Sequence, residues 1–94
     1  MNLRVNYGQL RTLGTNVGNK GGEFQQLLDK IKSINTELQS YWEGSDATKY
    51  TNAVNEQAKT MQDLADTIGE ISQFLIKAGD AYEQAASDNA SAIN

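Results

Sequence analysis

The chain has 94 residues, a formal net charge of -4, and no proline, cysteine or histidine. No disulfide can staple such a chain, the usual zinc ligands and the commonest catalytic base and nucleophile are missing, and the acidic balance disfavours nucleic acid or an anionic bilayer as partner. The longest apolar run, Phe74-Leu75-Ile76, falls far short of the roughly 20 residues of a membrane span, and residues 1–20 hold no apolar core of the signal-peptide kind.

At the start of the chain, Leu3-Arg4-Val5 leads into Asn6, a good N-cap, with Gln9 placed to close a capping box and Val5 and Leu10 spaced as a hydrophobic staple. A first helix is expected over about 7–41. Along it Leu10, Val17, Phe24, Ile31 and Leu38 recur every seventh residue, and Leu13, Leu27, Ile34 and Tyr41 hold a second apolar position that Lys20 interrupts. Two apolar positions per heptad make a seam for another helix. Gly8, Gly14, Gly18, Gly21 and Gly22 each weaken a helix by about 1 kcal/mol relative to alanine, so the N-terminal half needs tertiary support. Gly14 and Gly21 share one heptad position beside the seam, which fits either a close approach of another backbone or a frayed, kinked stretch around Lys20-Gly21-Gly22.

Trp42-Glu43-Gly44 ends this helix in a turn over 42–45, with Gly44 suited to a left-handed backbone and Ser45 or Asp46 able to cap a second helix. That helix is expected over about 46–86, and the small polar residues of 87–94 are expected to form a flexible tail. Ala47, Val54, Met61, Ile68, Leu75 and Tyr82 form one heptad series, and Tyr50, Leu64, Ile71, Ala78 and Ala85 form its partner, interrupted by Gln57. Reflection about the turn pairs numbers that sum to 88, such as Ile34 with Val54 and Phe24 with Leu64, so the two seams are expected to face each other. Residues 1–45 carry five basic and four acidic groups, and residues 46–94 carry three and eight, a mild complementarity for antiparallel packing.

The implied fold class is all-α, an antiparallel two-helix hairpin forming one domain over 1–94. Two helices alone bury a single stripe, and a chain this short has little stability to spare, so the hairpin is expected to dimerise into a four-helix bundle. Thr51, Ala58, Ala65, Ser72 and Gly79 form a stripe of small residues beside the seam. Together with Leu28, Phe74 and Ile76, which lie off the narrow seam, they are the expected dimer interface.

The acids Asp63, Asp66 and Glu70 fall on the outer face of the second helix and read as a solvated surface, so no catalytic residue, metal or cofactor is assigned. Trp42 admits two readings, a plug at the end of the bundle or a recognition element.

The length just under a hundred residues, the mirrored heptads and the central Trp42-Glu43-Gly44 together resemble the WXG hundred-residue family, the early-secreted-antigen-like substrates of type VII secretion. Leu3-Arg4-Val5-Asn6 followed by Leu10 is similar to the family's opening, with Tyr7 where proline is common. The resemblance implies a non-enzymatic effector or adaptor, secreted without a signal peptide by a type VII (ESX/Ess-like) system of a Gram-positive-type bacterium. The implied partners are a second copy of itself and the secretion ATPase. It points to Trp42 and Gly44, with Tyr82, as recognition residues. Family members often carry an acid four residues after a tyrosine near the end of the second helix; Tyr82 has Ala86 there. That departure supports an alternative, a cytosolic or co-secreted helper pairing with a related protein or with the helical leader of a larger toxin. Nucleic-acid binding is not expected, and neither is stable membrane insertion, because the chain lacks a basic face for anionic lipid.

Overall fold

Asn6 starts the first helix as its chemistry requires: its side-chain oxygen accepts the Gln9 amide at 2.9 Å and its carbonyl accepts the Leu10 amide at 3.0 Å. The structure is a computed structural model that describes residues 6–93, with side-chain surroundings up to residue 90. Val5, and with it the expected staple, lies outside that range. Helix α1 runs Tyr7–Tyr41 and helix α2 runs Ser45–Ile93. The protein is therefore all-α, two helices joined by a tight turn. Gly44, at φ +117°, is the one described residue with a left-handed backbone. Its carbonyl accepts the Thr48 amide at 3.1 Å, so Gly44 itself occupies the N-cap of α2. This corrects the expectation that Ser45 or Asp46 would cap: both lie inside the first turn, where Asp46 still favours the positive end of the helix dipole.

A second correction concerns the end of α2. The helix continues past Ala86 to Ile93, where a flexible tail was expected. Residues 85–90 lack an apolar pattern but contain no glycine or proline to stop the helix, and Gln84 donates to Asp88 one turn later at 2.9 Å.

The chain divides into two compact units: a terminal unit, Met1–Asn19 with Ile68–Asn94, and a turn unit, Lys20–Thr67. In the turn unit the buried side chains are Leu28 and Asn35 on α1 and Ala47, Thr51, Ala58 and Ala65 on α2. Leu28 has no exposed surface at all. Asn35 donates to the Thr51 carbonyl at 3.2 Å and to Asn55 at 3.0 Å, while its own Oδ1 is buried without a donor. Gln25 and Gln62 exchange two amide hydrogen bonds of 3.0 and 2.8 Å.

The terminal unit is built on backbone proximity. A methyl group placed on Gly14 would lie 2.9 Å from the Ser72 carbonyl and 2.8 Å from Ile76. One placed on Gly79 would lie 2.8 Å from the Tyr7 carbonyl and 2.7 Å from Arg11 Cγ. Ser72 Oγ donates to the Gly14 carbonyl at 2.6 Å across the buried contact. Arg11 crosses Gly79, pairs with Asp80 at 3.3 Å and with Glu83, and lies over the Tyr7 ring at 5.7 Å. The hydrogen bonds to Glu83 first and Asp80 second raise its pKa above the ordinary guanidinium range, so the cation persists at any working pH.

These contacts correct the expected seam. Contacts across each unit sum to 86 or 90, as those of Asn35 with Thr51 and Asn55 and of Gly14 with Ser72 and Ile76 do, so the levels straddle the expected 88; what differs is the inward face, because the small-residue stripe meets the other helix inside the chain. The reason is distance. Helices approach most closely where side chains are smallest, and residues as large as Leu27, Ile34 or Leu64 do not fit between backbones at that separation.

Candidate functional site

The consequence of that closeness is an apolar face turned outward. In the turn unit Leu27, Ile34, Leu64 and Tyr50 are about half exposed or more, and Tyr41 is 80% exposed. In the terminal unit the same holds for Leu13 and Ile71, with Phe74 71% exposed. The companion heptad series, including Phe24, Ile31, Val54 and Met61 in the turn unit, is half-buried at the edge of each contact. The seams read from the sequence thus exist, but their second position points away from the neighbouring helix. Exposed apolar residues at regular heptad spacing differ from the scattered single leucines of an ordinary surface.

The expected dimer set is accordingly split. Leu28, Thr51, Ala58, Ala65, Ser72 and Gly79 are buried within their own units and offer no surface to a second chain. Ile76 is half-buried, with its Cγ1 and backbone nitrogen close over Gly14. Of that set, Phe74 alone stands on the outward face. It lines an open apolar groove of about 560 Å³ with Leu10, Leu13, Leu75, Ala78 and Tyr82, which places Tyr82 at a partly exposed position in the terminal unit.

Trp42 and Gly44 belong to the turn unit. The Trp42 amide closes α1 by donating to the Leu38 carbonyl at 3.0 Å. The indole stacks on Tyr50, with ring centroids 5.6 Å apart and planes 26° from parallel, and remains 38% exposed. Its other edge borders a polar cleft of about 450 Å³ lined by Gln39, Glu43, Thr48, Asn52 and Asn55. A methyl group on Gly44 would meet nothing within 4 Å, so the requirement for glycine there is conformational, set by the positive φ. The turn therefore holds the indole at an edge, half supported by Tyr50 and half available.

Sequence reasoning missed Asn35, although it stands in the heptad position of Gly14, Gly21 and Leu28, and that series was the legible sign of a buried stripe. It also missed Arg11, whose partners lie far along the chain. Among the described residues no group of three or more His, Cys, Asp or Glu is placed to hold a metal ion, and no helix is long and apolar enough to cross a membrane.

With this geometry in view, the comparisons with known proteins are specific. The family model WXG100, proteins of 100 residues with WXG, matches residues 2–87, and Trp42-Glu43-Gly44 supplies the three letters. Among solved structures, Geobacillus thermodenitrificans EsxA (crystal form I) is similar with a TM-score of 0.82 at 19% identity, over 94% of this chain and 98% of that one. The secreted protein ESXB from Bacillus anthracis strain Sterne is similar with a TM-score of 0.79 at 19% identity, over 92% of this chain and 98% of that one. No significant sequence match is found among curated proteins.

Proposed function

Because the chain belongs to the WXG100 family of small proteins, we propose that it is a substrate of a type VII secretion system, exported without a signal peptide, and that it acts as a homodimer in which two copies bury their outward heptad faces. The observation that carries this reading is the face itself. Leu27, Ile34 and Leu64 in the turn unit, and Leu13 and Ile71 in the terminal unit, stand exposed at heptad spacing with Phe74 exposed beside them, and each such side chain gains about 1.5–3 kcal/mol when fully covered. A copy of the same chain brings the same pattern, so the contact is self-complementary and closes as a two-fold dimer. The product is a four-helix arrangement with a second apolar layer, which an isolated pair of helices lacks. The role outside the cell is one of contact, as an effector or adaptor, and not of catalysis.

Trp42 and Gly44 are the residues proposed for recognition by the secretion machinery, with Tyr82 second. The test separates folding from recognition. Trp42→Phe keeps an aromatic ring against Tyr50, so the variant dimer should fold with unchanged helix content while its exported fraction in the native host falls. Normal export of that variant would leave the motif with turn chemistry alone. A second reading rests on Ala86, which stands where an acid often follows four residues after the tyrosine: the chain then travels with, or serves as helper to, a related partner or toxin leader that supplies the complete signal. Export that requires co-expression of such a partner would favour it.

A further inference from the structure

The turn brings the end of α1 and the start of α2 together, and the two helix ends are compensated unequally. Asp46 stands in the first turn of α2, where a carboxylate offsets the positive end of the dipole. The last turn of α1 holds no basic residue, so the negative end of its dipole has no cation of its own. Glu43 adds a full negative charge at the same place. Among the described residues the ion pairs belong to Arg11 and Lys20, and Glu43 takes part in none.

These groups meet at the cleft of about 450 Å³ beside Trp42. Gln39, Thr48, Asn52 and Asn55 line it together with Trp42 and Glu43, and no lysine or arginine does. Tyr50 stacks on the indole but is not part of the cleft wall, so the cleft reaches the ring away from that contact. The cleft therefore offers an indole surface, one carboxylate and several amide oxygens. An anion would meet no cationic side chain there, and the one positive element, the start of α2, is already offset by Asp46. An apolar group would cover Glu43 and the amides without replacing their hydrogen bonds to water, which is costly. A planar cation satisfies all three features. A guanidinium lies flat on an aromatic face, and its five N–H donors reach a carboxylate and amide oxygens in its own plane.

We propose that the cleft receives an arginine side chain, presented by the partner that recognises Trp42. The inference rests on the reading of Trp42 as a recognition residue. It goes beyond that reading by giving the partner's contact a chemistry, and by assigning Glu43 as the residue that selects its charge.

Trp42 is the chain's single tryptophan, so its fluorescence reports on the cleft directly. The full chain is titrated at constant ionic strength with N-acetyl-arginine amide and, separately, with the citrulline analogue, which has nearly the same shape without the charge. The expected result is a saturable change in Trp42 emission at millimolar arginine amide, with about tenfold weaker binding of the citrulline compound. Glu43→Gln, with helix content equal to the wild type by circular dichroism, should bind arginine amide about threefold to fivefold more weakly. The absence of a saturable change, an equal response to citrulline, or undiminished binding by folded Glu43→Gln would overturn the proposal. Tighter binding of a neutral oligosaccharide would also overturn it, by assigning the cleft to another ligand class. The export assay of Trp42→Phe stands apart from these titrations. Normal export of that variant would remove the recognition reading and the partner with it, whereas lost export without an arginine response would leave that reading standing and remove only the arginine.

Discussion

The two units solve one packing problem in different ways. The turn unit fills its contact with side chains: Leu28 is fully buried, Ala58 and Ala65 face it from α2, and Asn35 adds a polar clamp on Thr51 and Asn55. The terminal unit has no fully buried large side chain among its described residues. Its helices meet at glycine, with the Ser72 hydroxyl on the Gly14 carbonyl and Arg11 laid across Gly79. The difference shows what Gly14 on α1 and Gly79 on α2 are for. They weaken the isolated helix, and in exchange they let a neighbouring backbone close to a distance that a methyl group would forbid. In both units the same closeness drives the large heptad residues outward.

The comparison can be broken at its strongest point first. Leu28→Ala removes the one fully buried large side chain among the described residues and should cost about 3 kcal/mol. Hydrogen exchange should lose protection in residues 20–67 before the terminal unit, and equal loss in both would deny the units separate cores. Gly14→Ala reverses the test. The new methyl would stand within 3 Å of the Ser72 carbonyl, so the contact must open, at about 1–3 kcal/mol, with protection lost first in the terminal unit. Gly22→Ala is the matching control, because nothing lies within 4 Å of that position; there the gain in helix propensity should stabilise by about 1 kcal/mol. A thermal melt of the two glycine variants that moved in the same direction would contradict the account of why Gly14 is a glycine.

Much of this architecture was readable in the amino-acid sequence. Asn6 caps α1, the helix spans Tyr7–Tyr41, and Gly44 takes a left-handed backbone, all as local chemistry requires. The choice of inward face was not readable from apolar periodicity. Leu13 and Gly14 are adjacent in sequence and their positions are neighbours on the helix surface, but a hydrophobic pattern registers only the leucine. Small residues are silent in such a pattern, although they decide how near two backbones can come. The signal that could have decided it was the coincidence of two small stripes, Gly14 with Gly21 on α1 and Thr51 to Gly79 on α2. The end of α2 was missed for a related reason: a pattern that stops marks the end of a buried face, whereas the helix itself stops only where backbone chemistry stops it.

For the turn motif, the sequence identified Trp42 and Gly44, and the structure adds how they are presented. Gly44 supplies the backbone conformation, Tyr50 supports one side of the indole, and a polar cleft borders the other. Tyr50 was read only as a seam residue. Its role under Trp42 depends on the turn bringing the two rings together.

The central claim is that the outward heptad face joins two copies, while the small-residue stripe is spent inside each chain. It is tested most directly by the solution mass of Ile34→Glu, measured by light scattering together with circular dichroism. Ile34 is 63% exposed, so the charge leaves the contacts within the turn unit intact but stands on the proposed interface. The account predicts a folded helical monomer under conditions where the wild type is a dimer. An Ile34→Glu protein that kept both its helix content and the dimer mass would contradict it.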